Sequence, residues 1–123
     1  MTRPHTRMEI QTEILHKNFQ LLQTQFGTPI MAVVKANAYG HGIAPIAQHL
    51  QQAGATMFGV ATVDEGIALR EAGITQGILV LTKLFAEEVS QALKHNLQVF
   101  VWEKEQIEAY HRAAQEAKGP LQV

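Results

Sequence analysis

The chain contains no cysteine. That excludes disulfides, thiolate metal sites and thiol nucleophiles, and it is compatible with a reducing compartment. No apolar run approaches the roughly 20 residues that a membrane helix needs. Residues 1–8 hold no apolar core of the kind a signal peptide uses. Charged residues make up 17% and aromatics 7%, with a formal net charge of −1. The basic residues are scattered, apart from Arg3 and Arg7 in an amino terminus expected to be loose. Neither a nucleic-acid footprint nor a polybasic membrane patch is present. The six histidines, at positions 5, 16, 41, 49, 95 and 111, show no i, i+4 ligand spacing, and no metal is expected.

What is present is an apolar fraction of 46% in 123 residues, the composition and size of one folded domain. Ile14, Leu15, Phe19, Leu22 and Phe26 recur at helical spacing, with Thr12 as the expected N-cap and Gly27 and Pro29 as the stop. Strands are expected at Ile30–Ala36, Met57–Ala61, Ile78–Leu81 and Gln98–Trp102. The first has no polar alternation and suits burial on both faces. Between the strands lie helical patterns. Ile43, Ile46, Ala47 and Leu50 form one stripe, closed by Gly54. A second helix opens on the capping-box pattern Thr62-Val63-Asp64-Glu65 and closes at Ala72 before Gly73. Ala86–His95 and Glu103–Lys118 complete the set. Gly119-Pro120 breaks the last helix, and Leu121–Val123 opens a fifth strand.

Helix, four strand–helix units and a strand imply a parallel sheet with right-handed crossovers. Two architectures fit that order: a small open doubly wound sheet, or part of a (β/α)8 barrel, which takes about 250 residues when complete.

Lys35 is the first charge after the apolar run Ile30–Val34. A lysine at the end of a buried strand is paired, snorkelling or chemically employed. Burial disfavours the ammonium form, and a neutral amine can attack a carbonyl compound or pyridoxal phosphate. Taken alone, Lys35 reads as a snorkelling residue.

The run Lys35-Ala-Asn37-Ala-Tyr39-Gly40-His41-Gly42 resembles the cofactor-attachment motif of alanine racemases. Met31–Val34 before it, Phe58–Thr62, Leu69–Ile74 and Ile78–Leu81 resemble the same family, and the likeness runs from about Glu9 to Val123. The resemblance implies the α/β class: parallel (β/α) units of a TIM-type barrel, about the first half only. Residues 1–123 would be the amino-terminal part of the pyridoxal-phosphate-binding barrel domain, with the family's carboxy-terminal domain absent. It implies interconversion of L- and D-alanine, as in D-alanine biosynthesis for the cell wall. Lys35 would carry pyridoxal 5′-phosphate as an aldimine and act as one of two bases. Tyr39 would hydrogen-bond the cofactor phosphate, and Val33 and Leu81 would line the cofactor ring. A broad-specificity amino-acid racemase and a cofactor-binding fragment without turnover are the alternatives.

The family's second base is a tyrosine from the carboxy-terminal domain of the other subunit of a homodimer. Neither Tyr39 nor Tyr110 is expected to replace it. Asn37 and His41 are expected in local turn roles. Gln11 stands where the family usually has Asp, a departure that touches amino-terminal packing only. The expected setting is cytoplasmic, with a small-molecule substrate. A half barrel alone has unpaired strand edges, so poor solubility or self-association is expected.

Overall fold

The computed structural model describes residues 6–123, so Arg3 and His5 lie outside it. Helix α1 (Thr12–Phe26) buries Phe19 and ends where Gly27 turns left-handed, its N–H bonded to Gln23 O at 2.9 Å. The cap lies one residue earlier than Thr12. Gln11 O accepts the first helical bonds, from Ile14 and Leu15, and no side chain caps the helix. Ile14, Leu22 and Phe26 of the apolar stripe stay exposed.

Four parallel strands follow: β1 (Met31–Val33), β2 (Met57–Val60), β3 (Gly77–Val80) and β4 (Gln98–Val99). They pair in the order β1-β2-β3-β4. A doubly wound sheet reverses its strand order at a switch point. This one never reverses, so the units form an arc of a (β/α)8 barrel, about its first half. The turn α2 (Lys35–Tyr39) and helix α3 (Ile43–Gln52) connect β1 to β2, and α4 (Val63–Glu71) connects β2 to β3. A 3-10 turn (Ala86–Glu88) and α5 (Val89–Lys94) follow β3, and α6 (Lys104–Glu116) follows β4.

Period-2 alternation divides each strand between two faces. Ala32, Val34, Phe58, Val60, Ile78, Val80 and Val99 are buried under the helices, with Leu69, Ile74 and Leu97 completing that core. Met31, Val33, Leu79 and Phe100 alternate with them on the other face, where Val33 is 50% exposed. The expectation of burial on both faces therefore fails for β1: only its helix-facing residues are covered.

Other boundaries also shift. β1 stops at Val33, because the chain turns sharply from Lys35 onward. β4 is two residues long, not five. The helix expected over Ala86–His95 opens as a 3-10 turn, since the Glu88 carboxylate accepts the Phe85 N–H at 2.8 Å and tightens the first turn. The fifth strand begins as one parallel bridge, Gln98 to Gln122, with Val99 N–H donating to Gln122 O at 3.0 Å.

Below the strands' amino ends, Arg70 ties two loops together. Its guanidinium donates to Ile74 O (2.8 Å), Gln76 O (2.7 Å), His95 O (2.9 Å) and Asn96 O (2.8 Å). Burial pulls its pKa below the usual value.

Candidate active site at the carboxyl ends of the strands

In barrels of this kind, functional groups gather where strands hand over to loops at their carboxyl ends. Lys35 occupies that position on β1 and is half-buried. The backbone after it is unusual. Ala36, Asn37, Ala38 and Tyr39 have φ of 54°, 53°, 51° and 52°, and Gly40 follows at 89°. This is a turn of left-handed helix built largely from non-glycine residues. Each such residue costs roughly 1–2 kcal/mol, and surrounding structure must impose the conformation.

Three sets of bonds do so. Ala38 N–H donates to Val34 O at 2.9 Å, and Gly42 N–H to Asn37 O at 3.1 Å. Asn37 Oδ1 accepts from Ile43 N–H at 2.9 Å, satisfying the first turn of α3. His41 Nδ1 lies 2.7 Å from Ala38 O. Asn37 thus ties the loop to α3, and His41 is engaged within the loop.

The third set comes from α4. Thr62 caps this helix as the pattern requires, its hydroxyl accepting the Glu65 N–H at 3.2 Å. In a capping box the Glu side chain returns to the N-cap N–H. Here it goes elsewhere. Glu65 Oε2 accepts from Ala61 N–H and Oε1 from Ala36 N–H, each at 2.7 Å. Hydrogen bonds to a carboxylate are each worth about 1.5–3 kcal/mol net.

Val33 and Leu81 both approach Gly59. A Cβ placed on Gly59 would lie 3.2 Å from Val33 Cγ2 and 3.3 Å from Leu81 Cδ1. Tyr39 is exposed. With Val33, Asn18 and Leu15 it lines a cavity of about 400 Å³ that Lys35 does not line. Of the four expected site residues, Val33 thus neighbours Gly59 together with Leu81 and shares a cavity lining with Tyr39, and Lys35 follows it by two residues, at the start of the turn α2.

Tyr110 is committed to packing. Its hydroxyl accepts from Leu84 N–H (2.8 Å) and Gln106 Nε2 (2.9 Å) and donates to Leu84 O (3.2 Å). Gln106 Oε1 in turn accepts from Trp102 N–H at 2.6 Å and Glu103 N–H at 2.9 Å. Among the described residues, no three His, Asp or Glu side chains converge as a metal site would require. No helix among them is long and apolar enough to cross a membrane.

Sequence reading did not connect Glu65 with the loop after Lys35. The available signal was the capping-box spacing, but only the fold shows where the carboxylate goes.

Residues 10–123 match the family model "Alanine racemase, N-terminal domain". The chain is 42% identical over 121 residues to an alanine racemase of Ligilactobacillus salivarius, covering 97% of this chain and 33% of that one. It is 53% identical over 89 residues to one from Nostoc sp., covering 70% and 23% respectively. Among solved structures, the E. faecalis alanine racemase superposes with a TM-score of 0.80 at 39% identity, over 84% of this chain and 28% of that one. A histidine racemase from Leuconostoc mesenteroides gives 0.84 at 32% identity, over 89% and 30%. The chain thus spans about a third or less of the length of these relatives. A match over nearly all of its own length, with strands in the barrel's order, places it: the chain belongs to the alanine racemase N-terminal domain family.

Proposed function

We propose that this chain is the amino-terminal part of the cofactor-binding barrel domain of a pyridoxal-phosphate-dependent alanine racemase. In this reading Lys35 holds the cofactor and serves as base toward one face of the substrate α-carbon. The observation that carries the reading is Lys35 at the carboxyl end of β1, in a loop anchored on both sides by hydrogen bonds.

The residues fit the group. Lys35 offers a primary amine, Tyr39 an exposed hydroxyl for a phosphate oxygen, and Val33 and Leu81 an apolar wall beside Gly59. Bound pyridoxal phosphate supplies an electron sink for the negative charge that develops at the α-carbon. The Lys35 Nζ takes the α-proton when its amine is neutral and returns one when it is protonated. Exchange of configuration needs a second acid–base group on the opposite face. Tyr110 cannot provide it, since its hydroxyl is buried and fully bonded to Leu84 and Gln106. The second group is assigned to the carboxy-terminal domain of a partner subunit in a homodimer, and the working compartment to the cytoplasm.

A second reading, a racemase for another amino acid, draws on the likeness to the histidine racemase. A panel of L-amino acids offered to the longer protein that contains this segment separates the two: alanine turned over fastest supports the first.

The test on the chain itself is borohydride reduction after incubation with pyridoxal 5′-phosphate, followed by peptide mass mapping. Cofactor mass on the Lys35 peptide, lost in Lys35→Ala, is the expected result. Labelling spread evenly over Lys17, Lys35, Lys83 and Lys94 would overturn it. No racemisation by the isolated chain is expected.

A further inference from the structure

The register of β1 against β2 shows what the Glu65 carboxylate replaces. Val33 pairs with Gly59, and Val34 N–H donates to Gly59 O at 2.9 Å. Continued by two residues, the parallel ladder would pair Lys35 with Ala61. That rung would need Ala36 N–H on Ala61 O, and Ala61 N–H on Val34 O. Neither bond is made. Val34 O is taken by Ala38 N–H as the left-handed turn closes, and Ala61 O accepts the Thr82 hydroxyl at 2.5 Å. Both orphaned N–H groups are received by one side chain: Glu65 takes Ala36 N–H on Oε1 and Ala61 N–H on Oε2.

We propose that Glu65 is a positioning residue for Lys35, its carboxylate standing in for the two carbonyls of the missing Lys35–Ala61 rung. The inference rests on the reading of Lys35 as the cofactor lysine. The physical reason is one of direction. A carbonyl on the neighbouring strand would keep Lys35 in the pleat of the sheet. A side chain reaching in from α4 lets β1 leave the sheet at Lys35 while both donors stay satisfied. The first residue after the lysine is then fixed at a φ that alanine rarely adopts. The lysine's Cα and exit vector are thereby tied to the start of α4, a rigid element, rather than to a free loop.

The residue type is constrained as well. Both partners are N–H donors, so both side-chain atoms must accept. Glutamine matches glutamate in shape, but it turns an NH2 toward one of the two donors. Aspartate is one methylene short.

The experiment uses the full chain and three variants: Glu65→Gln, Glu65→Asp and Thr62→Ala. Two quantities are read, residue-resolved amide exchange at Ala36 and Ala61, and pyridoxal 5′-phosphate trapped on the Lys35 peptide relative to Lys17 and Lys83. Glu65→Gln is expected to speed exchange of at least one of the two amides, and to lower Lys35 trapping, by at least about tenfold. Labelling of Lys17 and Lys83 should not move. Glu65→Asp should fall between wild type and Glu65→Gln. Thr62→Ala, which removes the helix cap but keeps the carboxylate, should leave Lys35 trapping intact.

Unchanged Lys35 trapping in a folded Glu65→Gln chain overturns the proposal. Equal loss in Thr62→Ala also overturns it, because Glu65 would then act only through the helix start. If Glu65→Gln does not fold, an ester in place of the Lys35–Ala36 amide deletes the Ala36 donor alone, and wild-type trapping in that chain counts against the idea. A wild-type chain that takes no cofactor at Lys35 refutes the proposed function. The exchange data then still decide whether Glu65 holds the rung.

Discussion

Tyr110 and Leu84 are joined twice: the tyrosine hydroxyl accepts the Leu84 N–H at 2.8 Å and donates to the Leu84 carbonyl at 3.2 Å. Both residues are buried, as is Gln106, which donates to the same hydroxyl at 2.9 Å. One oxygen thus fastens the loop after β3 to α6. Tyr110→Phe keeps the ring and strands these polar partners. A loss of about 2–3 kcal/mol is expected from chemical denaturation. Cofactor trapping at Lys35 should remain, which separates this structural tyrosine from Tyr39.

Arg70 makes a sharper demand on residue type. Its planar fork reaches four carbonyls on the loops that enter β3 and β4. A lysine ammonium cannot span them. Arg70→Lys should lower the denaturation midpoint by an amount equivalent to about 2–3 kcal/mol with an unchanged m-value. A cost below about 0.5 kcal/mol, the level of an ordinary surface change, would show that the fork is dispensable.

Gly66 sets helix propensity against packing. In mid-helix, alanine gains about 1 kcal/mol over glycine. A Cβ at Gly66 would lie 2.8 Å from Leu97 Cδ1 and 3.1 Å from its Cδ2, and Leu97 is fully buried. Overpacking of this kind costs about 1–3 kcal/mol. Gly66→Ala is therefore expected to destabilise on balance, and a rise in melting temperature would mean that Leu97 can move aside.

Ala36 runs the opposite way. At φ 54° glycine carries no Cβ penalty. Relief of roughly 1–2 kcal/mol, less the glycine entropy of about 0.5–1 kcal/mol, predicts a gain near 0.5–1 kcal/mol for Ala36→Gly. Ala68→Gly inside α4 supplies the contrast, with an expected loss of about 1 kcal/mol. If both variants lose stability alike, the left-handed conformation at Ala36 carries no strain to relieve.

Open strand edges predict association of the isolated chain. Among the described residues, β1 pairs on one side only, β4 carries a single bridge on its outer side, and Val33, Phe100 and Trp102 are exposed. Light scattering coupled to size exclusion should report species larger than the monomer. A sharp monomeric peak with cooperative unfolding would contradict this.

Much of the architecture was legible because each unit carries its own punctuation. Thr62 marks the start of α4, and buried Val, Ile and Phe mark the strands. The order of elements alone left a doubly wound sheet and a barrel arc open, because strand order is a property of crossover packing and not of any segment; the motif resemblance chose the barrel, and the unreversed strand order bears it out. The left-handed turn was hidden for a similar reason. Alanine has no intrinsic preference for positive φ; the conformation is imposed by Glu65, 29 residues from Ala36, and by Asn37 bonding forward to α3. Lys35 and Tyr39 were expected from the motif, Val33 from its place on the strand face and Leu81 from the wider resemblance, whereas Glu65 could be read only as half of a cap.

The turn from Ala36 to Tyr39 also bears on stereochemistry. Positive φ is the favoured territory of D-residues, so the backbone here follows the mirror-image path for four L-residues in succession. A D-alanine introduced at position 36 or 38 by chemical ligation would fit that path without the clash its L-counterpart bears. Handedness also reverses the order in which side chains fan out, so the four-residue interval from Lys35 to Tyr39 does not set them where a right-handed helix would. An ordinary helical turn of identical sequence would therefore aim the amine and the phenol in different relative directions.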